Sequence, residues 1–279
     1  MIKIICDSMS DLPNGFAKEF DVDIVPTSVN IDGKEYTDGV DITPEEFFKI
    51  IRSAKEMPKT SQATYSRFIE SFKKHAPHYG DIVYIGGSSR ASGTYQSGIM
   101  AINDIKDEYS CNFHHIDTLN FSAGGTVFVI KACLLLKEGK SAKEIVDILE
   151  GLKGSQRVYL TVDDLSYMKR GGRISGTKAT VGTLLNIKPV IALEDGIPVP
   201  KGQCRGKKQV ISEVFKRATE GITNFDDKII VYGCGDNESD LDLIKSKILS
   251  TGCKHIYEVK PGPTMTAHTG PSIIGMAIL

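Results

Sequence analysis

No two of the six cysteines (Cys6, Cys111, Cys133, Cys204, Cys234 and Cys253) are close enough to make a Cys-x-x-Cys pair. This argues against a zinc site and against a thioredoxin-type redox motif. The cysteines read instead as buried thiols of a reducing cytoplasm. Long apolar runs are also missing: the longest stretch, residues 127–136, is broken by Lys131 and is too short to span a bilayer. The opening Met1-Ile2-Lys3-Ile4-Ile5-Cys6-Asp7 is too short, and acidic too soon, for a signal peptide. Neither charge sign is in excess, and a formal net charge of -1 offers no general attraction to nucleic acid or to an anionic membrane. A DNA-binding regulator would need a basic recognition helix, which the sequence does not show. The glycine loop after Gly86-Gly87 has no lysine, so it is not a Walker loop. Ser92 follows Arg90-Ala91, and Ser88 precedes Ser89-Arg90, so neither serine sits in a Gly-x-Ser-x-Gly nucleophile elbow. There is no internal repeat and no low-complexity linker.

What is present suits a globular α/β protein. The apolar fraction of 41% and charged fraction of 25% are those of a soluble chain, and 279 residues are enough for one large or two medium domains. Short β-branched runs over 3–6, 23–29, 82–85, 112–116, 157–161, 189–193, 228–232 and 255–259 alternate with amphipathic segments, as in an α/β sheet with parallel strands. Thr43-Pro44-Glu45-Glu46 and Ser141-Ala142-Lys143-Glu144 have capping-box spacing. After the second box, Ile145, Ile148, Leu149 and Leu152 share one helix face. Glu194-Asp195-Gly196 reads as a hairpin turn. A soft boundary over 151–156 divides a Rossmann-like half, residues 1–155, from an α+β half, residues 156–279. The cleft between them is the expected ligand site.

Three segments hold the polar groups from which a small anion site could be made. The run Ser88 to Ser97 lies between a strand and a helix expected from about Thr94, a setting that aims free N–H groups at an anion. Ser92 and Gly93 stand at that helix start. Ser92 either caps the helix or meets an anionic head group. Thr60-Ser61-Gln62 precedes a helical pattern through Phe68, Ile69 and Phe72. Its hydroxyls either cap that helix or donate to a ligand. His268 lies in Thr266-Ala267-His268-Thr269-Gly270-Pro271, where glycine and proline predict an irregular loop. There the imidazole is either a surface side chain or a donor to a carboxylate, which would raise its pKa. Asp7 and Ser8 close the first strand, and Asp11 or Ser10 is expected to start the next helix. Lys169-Arg170-Gly171-Gly172-Arg173 and Arg205-Gly206-Lys207-Lys208 form two basic loops, suited to phosphate or an acidic partner if they converge.

In order and number, these segments resemble the DegV family of bacterial proteins, which includes the fatty-acid-binding subunits of fatty acid kinase. The resemblance spans essentially the whole chain. It rests on Asp7-Ser8-Met9-Ser10-Asp11-Leu12, Thr60-Ser61-Gln62, Ser88 to Ser97, Gly171-Gly172-Arg173-Ile174, Lys188-Pro189, Arg205 with Lys207-Lys208, and His268-Thr269-Gly270-Pro271. It implies a two-domain α/β fold with one long-chain fatty acid, of the palmitate or oleate class, in an interior tunnel. It further implies that Thr60 and Ser92 bond the carboxylate, with Ser61, Gly93 and His268 beside it. Arg173 and Arg205 match arginines implicated in docking a kinase subunit, which would phosphorylate the acid in the cytoplasm. The chain itself would then be a lipid-binding protein without cofactor or metal, and not an enzyme. Ala63-Thr64 replace the family's usual Pro-Ser, and Arg90-Ala91 replace a glycine and a larger aliphatic residue. These departures bear on chain-length preference. The alternative is a small-molecule phosphotransfer or hydrolase enzyme using His268 and Ser92, since the family fold is similar to that of dihydroxyacetone kinase subunits.

Overall fold

The computed structural model describes residues 1–174 and 186–279. The chain begins with β1 (Ile2–Asp7), α1 (Phe16–Glu19) and β2 (Val22–Val25). The β-branched run over 23–29 predicts one strand, but the structure divides it at Pro26. Proline has no N–H to give a ladder, and beyond it the chain enters another sheet. There β3 (Ser28–Ile31) and β4 (Lys34–Thr37) form a hairpin that the sequence reading lacks. Its turn is Asp32-Gly33, with φ of 50° and 78°, the two positive values a tight hairpin prefers.

Next come α2 (Pro44–Ser53), β5 (Lys59–Ser61), α3 (Tyr65–His75), β6 (Asp81–Gly86), α4 (Thr94–Ile105), β7 (Asn112–Asp117), α5 (Ala123–Lys137) and α6 (Ala142–Leu152). Both predicted capping boxes form: the Thr43 N–H donates to Glu46 (2.9 Å) and the Ser141 N–H to Glu144 (2.9 Å). The strands β2-β1-β6-β7 make a parallel sheet in that order, while β5 joins β3 and β4 in a small antiparallel one. One face of the parallel sheet packs α3 and α4 through Phe68, Phe72, Ala101 and Ile105. The other packs α5 and α6 through Phe128, Ile130, Ile145 and Leu149.

The remaining elements are β8 (Arg157–Thr161), α7 (Ser166–Arg170), β9 (Ile187–Glu194), β10 (Ile197–Arg205), α8 (Lys207–Thr219), β11 (Ile229–Cys234), α9 (Glu238–Leu249), β12 (His255–Val259), α10 (Pro263–Thr269) and β13 (Ile274–Ile278). They build a mixed sheet in the order β10-β9-β8-β13-β11-β12. The predicted turn joins β9 to β10 through Asp195 (φ 47°) and Gly196 (φ 80°). Helix α5 touches β1 and β6 on one side and β8, β11 and β13 on the other. This placement explains the apolar run over 127–136: a helix covered all round needs no polar face. Gly124 permits the approach, because a Cβ there would lie 2.9 Å from Val158 Cγ2.

Candidate functional site

The first wall is the loop between β6 and α4. Asp7, buried at the end of β1, accepts the Gly87 N–H (2.9 Å), the Met9 N–H (3.1 Å) and the Tyr84 hydroxyl (3.1 Å). Burial pushes its carboxyl up to about 6, against the downward pull of these bonds. Asp7 therefore anchors the loop from beneath. The Ser88 hydroxyl donates to the Gly196 carbonyl (2.8 Å), which fastens the β9–β10 hairpin over the same loop. Ser92 accepts the Thr94 N–H (3.2 Å) and donates to the Thr94 hydroxyl (2.9 Å). It thus serves the start of α4, although the capping position itself is Gly93.

The second wall is β5. The sequence reading places Thr60 in a loop ahead of a helix. Instead Thr60 sits within β5, opposite Val29, and Thr64 is the residue that caps α3. The two walls are joined by Gln62, whose amide donates to the Ser97 hydroxyl (2.9 Å), and by the Ala63 N–H, which donates to Thr94 (3.2 Å). Gly93 makes room for this: a Cβ there would lie 2.0 Å from Gln62 Oε1.

The third wall corrects the sequence reading of His268, which is helical and lies in α10. Pro263 occupies the first turn of α10, and Gly270 ends it with φ of 77°. Proline and glycine are thus the start and stop of a short helix, the asymmetry helices favour. Two aspartate side chains from the first half hold its beginning. The Gly262 N–H donates to Asp11 (2.8 Å), the Thr264 N–H to Asp38 (3.0 Å), and Thr27 and Thr264 share a hydroxyl bond (2.6 Å). Asp11 therefore starts no helix of its own, and α1 begins only at Phe16. Burial raises both carboxyls, Asp11 to about 8. His268 Nε2 lies 2.9 Å from Thr60 Oγ1. Burial, and then the nearby Arg173 guanidinium, lower its pKa to about 4, so the ring is neutral at pH 7.

These walls enclose a cavity of about 460 Å³. Thr60, Ser61, Ser92, Gly93, Arg173 and His268 all line it, so the structure brings these separated residues together. Arg173 is fixed by donation to the Gly171 (2.5 Å) and Ala91 (3.4 Å) carbonyls. Arg205 is exposed at the end of β10, outside the cavity lining. In the same basic loop Lys207 is turned onto Asp163 (2.9 Å) and Asp240 (3.1 Å). Sequence reasoning assigns no site role to Gln62, Thr27 or Asp38. Only Gln62, beside Thr60 and Ser61, carried a local signal. Behind the polar chamber lies an apolar cavity of about 60 Å³, lined by Val158, Leu160, Leu193, Ile273 and Met276 among others. The two cavities share Phe121, Met168, Pro198, Met265 and Thr269. Among the described residues, no cluster of three or more His, Cys, Asp or Glu side chains could hold a metal ion.

A three-walled polar chamber thus lies beside an apolar one, between a parallel and a mixed sheet. The chain belongs to the DegV family, whose profile, described as "uncharacterised protein, DegV family", matches residues 1–279. A DegV domain-containing protein of Caldanaerobacter subterraneus is 33% identical over 276 residues, spanning 99% of this chain and 97% of that protein. A solved structure described as fatty acid binding of a DegV family protein, from Thermus thermophilus, matches with a TM-score of 0.89 at 30% identity, covering 99% of this chain and 98% of that one. A stearic acid-binding protein from Eubacterium ventriosum matches with a TM-score of 0.90 at 29% identity, covering 100% and 98%.

Proposed function

We propose that this protein binds one long-chain fatty acid of the palmitate or oleate class and presents its carboxylate to a fatty acid kinase subunit in the cytoplasm. The observation that carries the reading is that the polar cavity and the apolar one behind it share Phe121, Met168 and Met265 in their walls. A carboxylate seated among Thr60, Ser61, Ser92, Gly93 and His268 would send its tail into the apolar space. Each buried methylene contributes about 0.8 kcal/mol, so the tail supplies the affinity and the hydroxyls fix the orientation. Arg173 and Arg205 would serve the kinase partner, which brings the nucleotide and the chemistry.

The alternative, a hydrolase or phosphotransfer enzyme using Ser92 and His268, has less support. A nucleophile needs its base within hydrogen-bond reach and the base needs an orienting group. Here Ser92 is bonded to Thr94, while His268 is bonded to Thr60. Among the described residues, no acidic side chain lines the cavity.

Native mass spectrometry of the purified protein, followed by lipid extraction, tests the reading. A single fatty acid per chain is the expected result. Protein that stays free of ligand after incubation with palmitate and with oleate would overturn it.

A further inference from the structure

The Thr60–His268 pair is a partition with space on both sides. Its inner side faces the chamber described above. Its outer side faces a second cavity of about 390 Å³, and Thr60, Arg173 and His268 line both. The outer cavity is framed by Lys59, Arg170 and Arg173, and among the described residues no acidic side chain lines it. Cations elsewhere near this end of the mixed sheet are treated differently: Lys188 and Lys207 are both drawn onto Asp163, at 2.8 and 2.9 Å. Three cations gathered around one hollow without a carboxylate repel one another, and an anion of high charge density relieves that repulsion.

The local backbone explains the gathering. Lys59 and Thr60 are neighbours on β5, so their side chains leave opposite faces of the strand. Arg170 ends α7, and the Gly171-Gly172 turn brings Arg173 back beside it. Gly171 packs directly on the imidazole, since a Cβ there would be 2.7 Å from His268 Nδ1. The glycine therefore holds the two arginines close to the partition.

We propose that this outer cavity is a binding site for a tetrahedral phosphoryl group, held by Lys59, Arg170 and Arg173 on the far side of the Thr60–His268 pair from the acid. Guanidinium forks suit phosphoryl oxygens, and a lysine adds a point charge. The proposal rests on the fatty-acid reading for its biological setting, and two sources share the chemistry. One is the phosphoryl group of an acyl phosphate whose tail stays in the inner cavities. The other is the polyphosphate tail of a phosphoryl donor approaching from outside.

Two probes separate these sources, each applied to the whole protein and to the exposed-residue variants Lys59→Gln and Arg170→Gln. Inorganic tripolyphosphate, titrated calorimetrically without lipid, reports the donor side. Hexadecylphosphonate, competed against palmitate, reports the product side. At least one probe is expected to bind the wild type well, the phosphonate by outcompeting palmitate, and to lose about tenfold in either variant. Palmitate affinity should stay within about twofold, because neither side chain faces the acid. Palmitate binding with neither probe favoured, or with the probe affinities unchanged in the variants, would overturn the phosphoryl site and leave the fatty-acid reading intact. Tripolyphosphate binding that depends on Lys59 and Arg170, in a protein that takes up no palmitate, would support the site and sink the fatty-acid reading instead.

Discussion

Thr60 and His268 already bond one another at 2.9 Å, so a carboxylate bound as proposed would have to be accommodated within an existing pair. With the imidazole neutral, it can donate to Thr60 and release the threonine O–H for the acid. A hydrogen bond to a charged acceptor contributes about 1.5–3 kcal/mol. Thr60→Val is therefore expected to weaken palmitate binding by at least about tenfold, and Thr60→Ser to restore most of it. Displacement of a fluorescent fatty acid measures both, and equal affinities in wild type and Thr60→Val would place the head group elsewhere. Ser92→Ala should weaken binding similarly. It also leaves the Thr94 N–H, first in α4, without its present acceptor, so a small loss of thermal stability should accompany the lost affinity. Gly93→Ala acts through a neighbour: the new methyl would drive Gln62 off Ser97. Its expected effect is weaker acid binding with little loss of helix, seen by comparing ligand titration with far-ultraviolet circular dichroism.

Among the elements, α10 is held at its start by side chains from the first half of the chain, and its attachment has a pH signature. Burial raises the Asp11 carboxyl from 3.8 to about 8. A raised folded-state pKa stabilises the fold below the unfolded value, and that stability is lost as pH climbs through the folded value. Asp11 therefore makes the protein less stable as pH rises from about 4 to about 8, with no further effect above that range. Asp11→Asn, which cannot ionise, should flatten the fall between pH 6 and 8 in urea unfolding. A variant as pH-dependent as the wild type over that window would show that Asp11 does not carry the effect. This attachment also shows where the sequence stops being legible. Capping boxes and the Asp195-Gly196 turn are local, and the structure reproduces them from local chemistry. The start of α10 is capped by aspartate side chains over two hundred positions away in sequence, Asp11 and Asp38. No window around His268 contains that information, so Gly270 and Pro271 read as signs against a helix. Strand β13 leaves no clear mark in the sequence for a related reason. It is buried through pairing with β8 and β11 on both sides, which erases the alternation that marks a half-exposed strand.

At the scale of the whole molecule, the polar cavity and the apolar one meet between the parallel sheet and the mixed sheet, and on the fatty-acid proposal the acyl tail would pass there, so the residues common to both cavities would set selectivity. Thr60, Ser92 and His268 were visible as polar residues in marked segments, whereas the neck between the cavities comes from residues scattered over much of the chain: Phe121, Met168, Pro198 and Met265. Two of these are methionines. An unbranched thioether side chain has three rotatable bonds and adapts to irregular shapes at low cost, whereas a β-branched residue is stiff at its first torsion. A neck that contains Met168 and Met265 should pass both a straight saturated tail and one bent by a cis double bond. Wild-type protein is therefore expected to bind palmitate and oleate within about threefold of each other. Replacing both methionines by isoleucine keeps the neck apolar but stiffens it, and the bent chain should suffer more. The double variant is expected to lose at least about tenfold in oleate affinity relative to palmitate. Competition of the two acids for one preparation measures the ratio directly. A strong preference in the wild type, or a ratio unmoved by the double substitution, would show that selectivity is set deeper, where Val158, Leu160 and Ile273 line the apolar cavity.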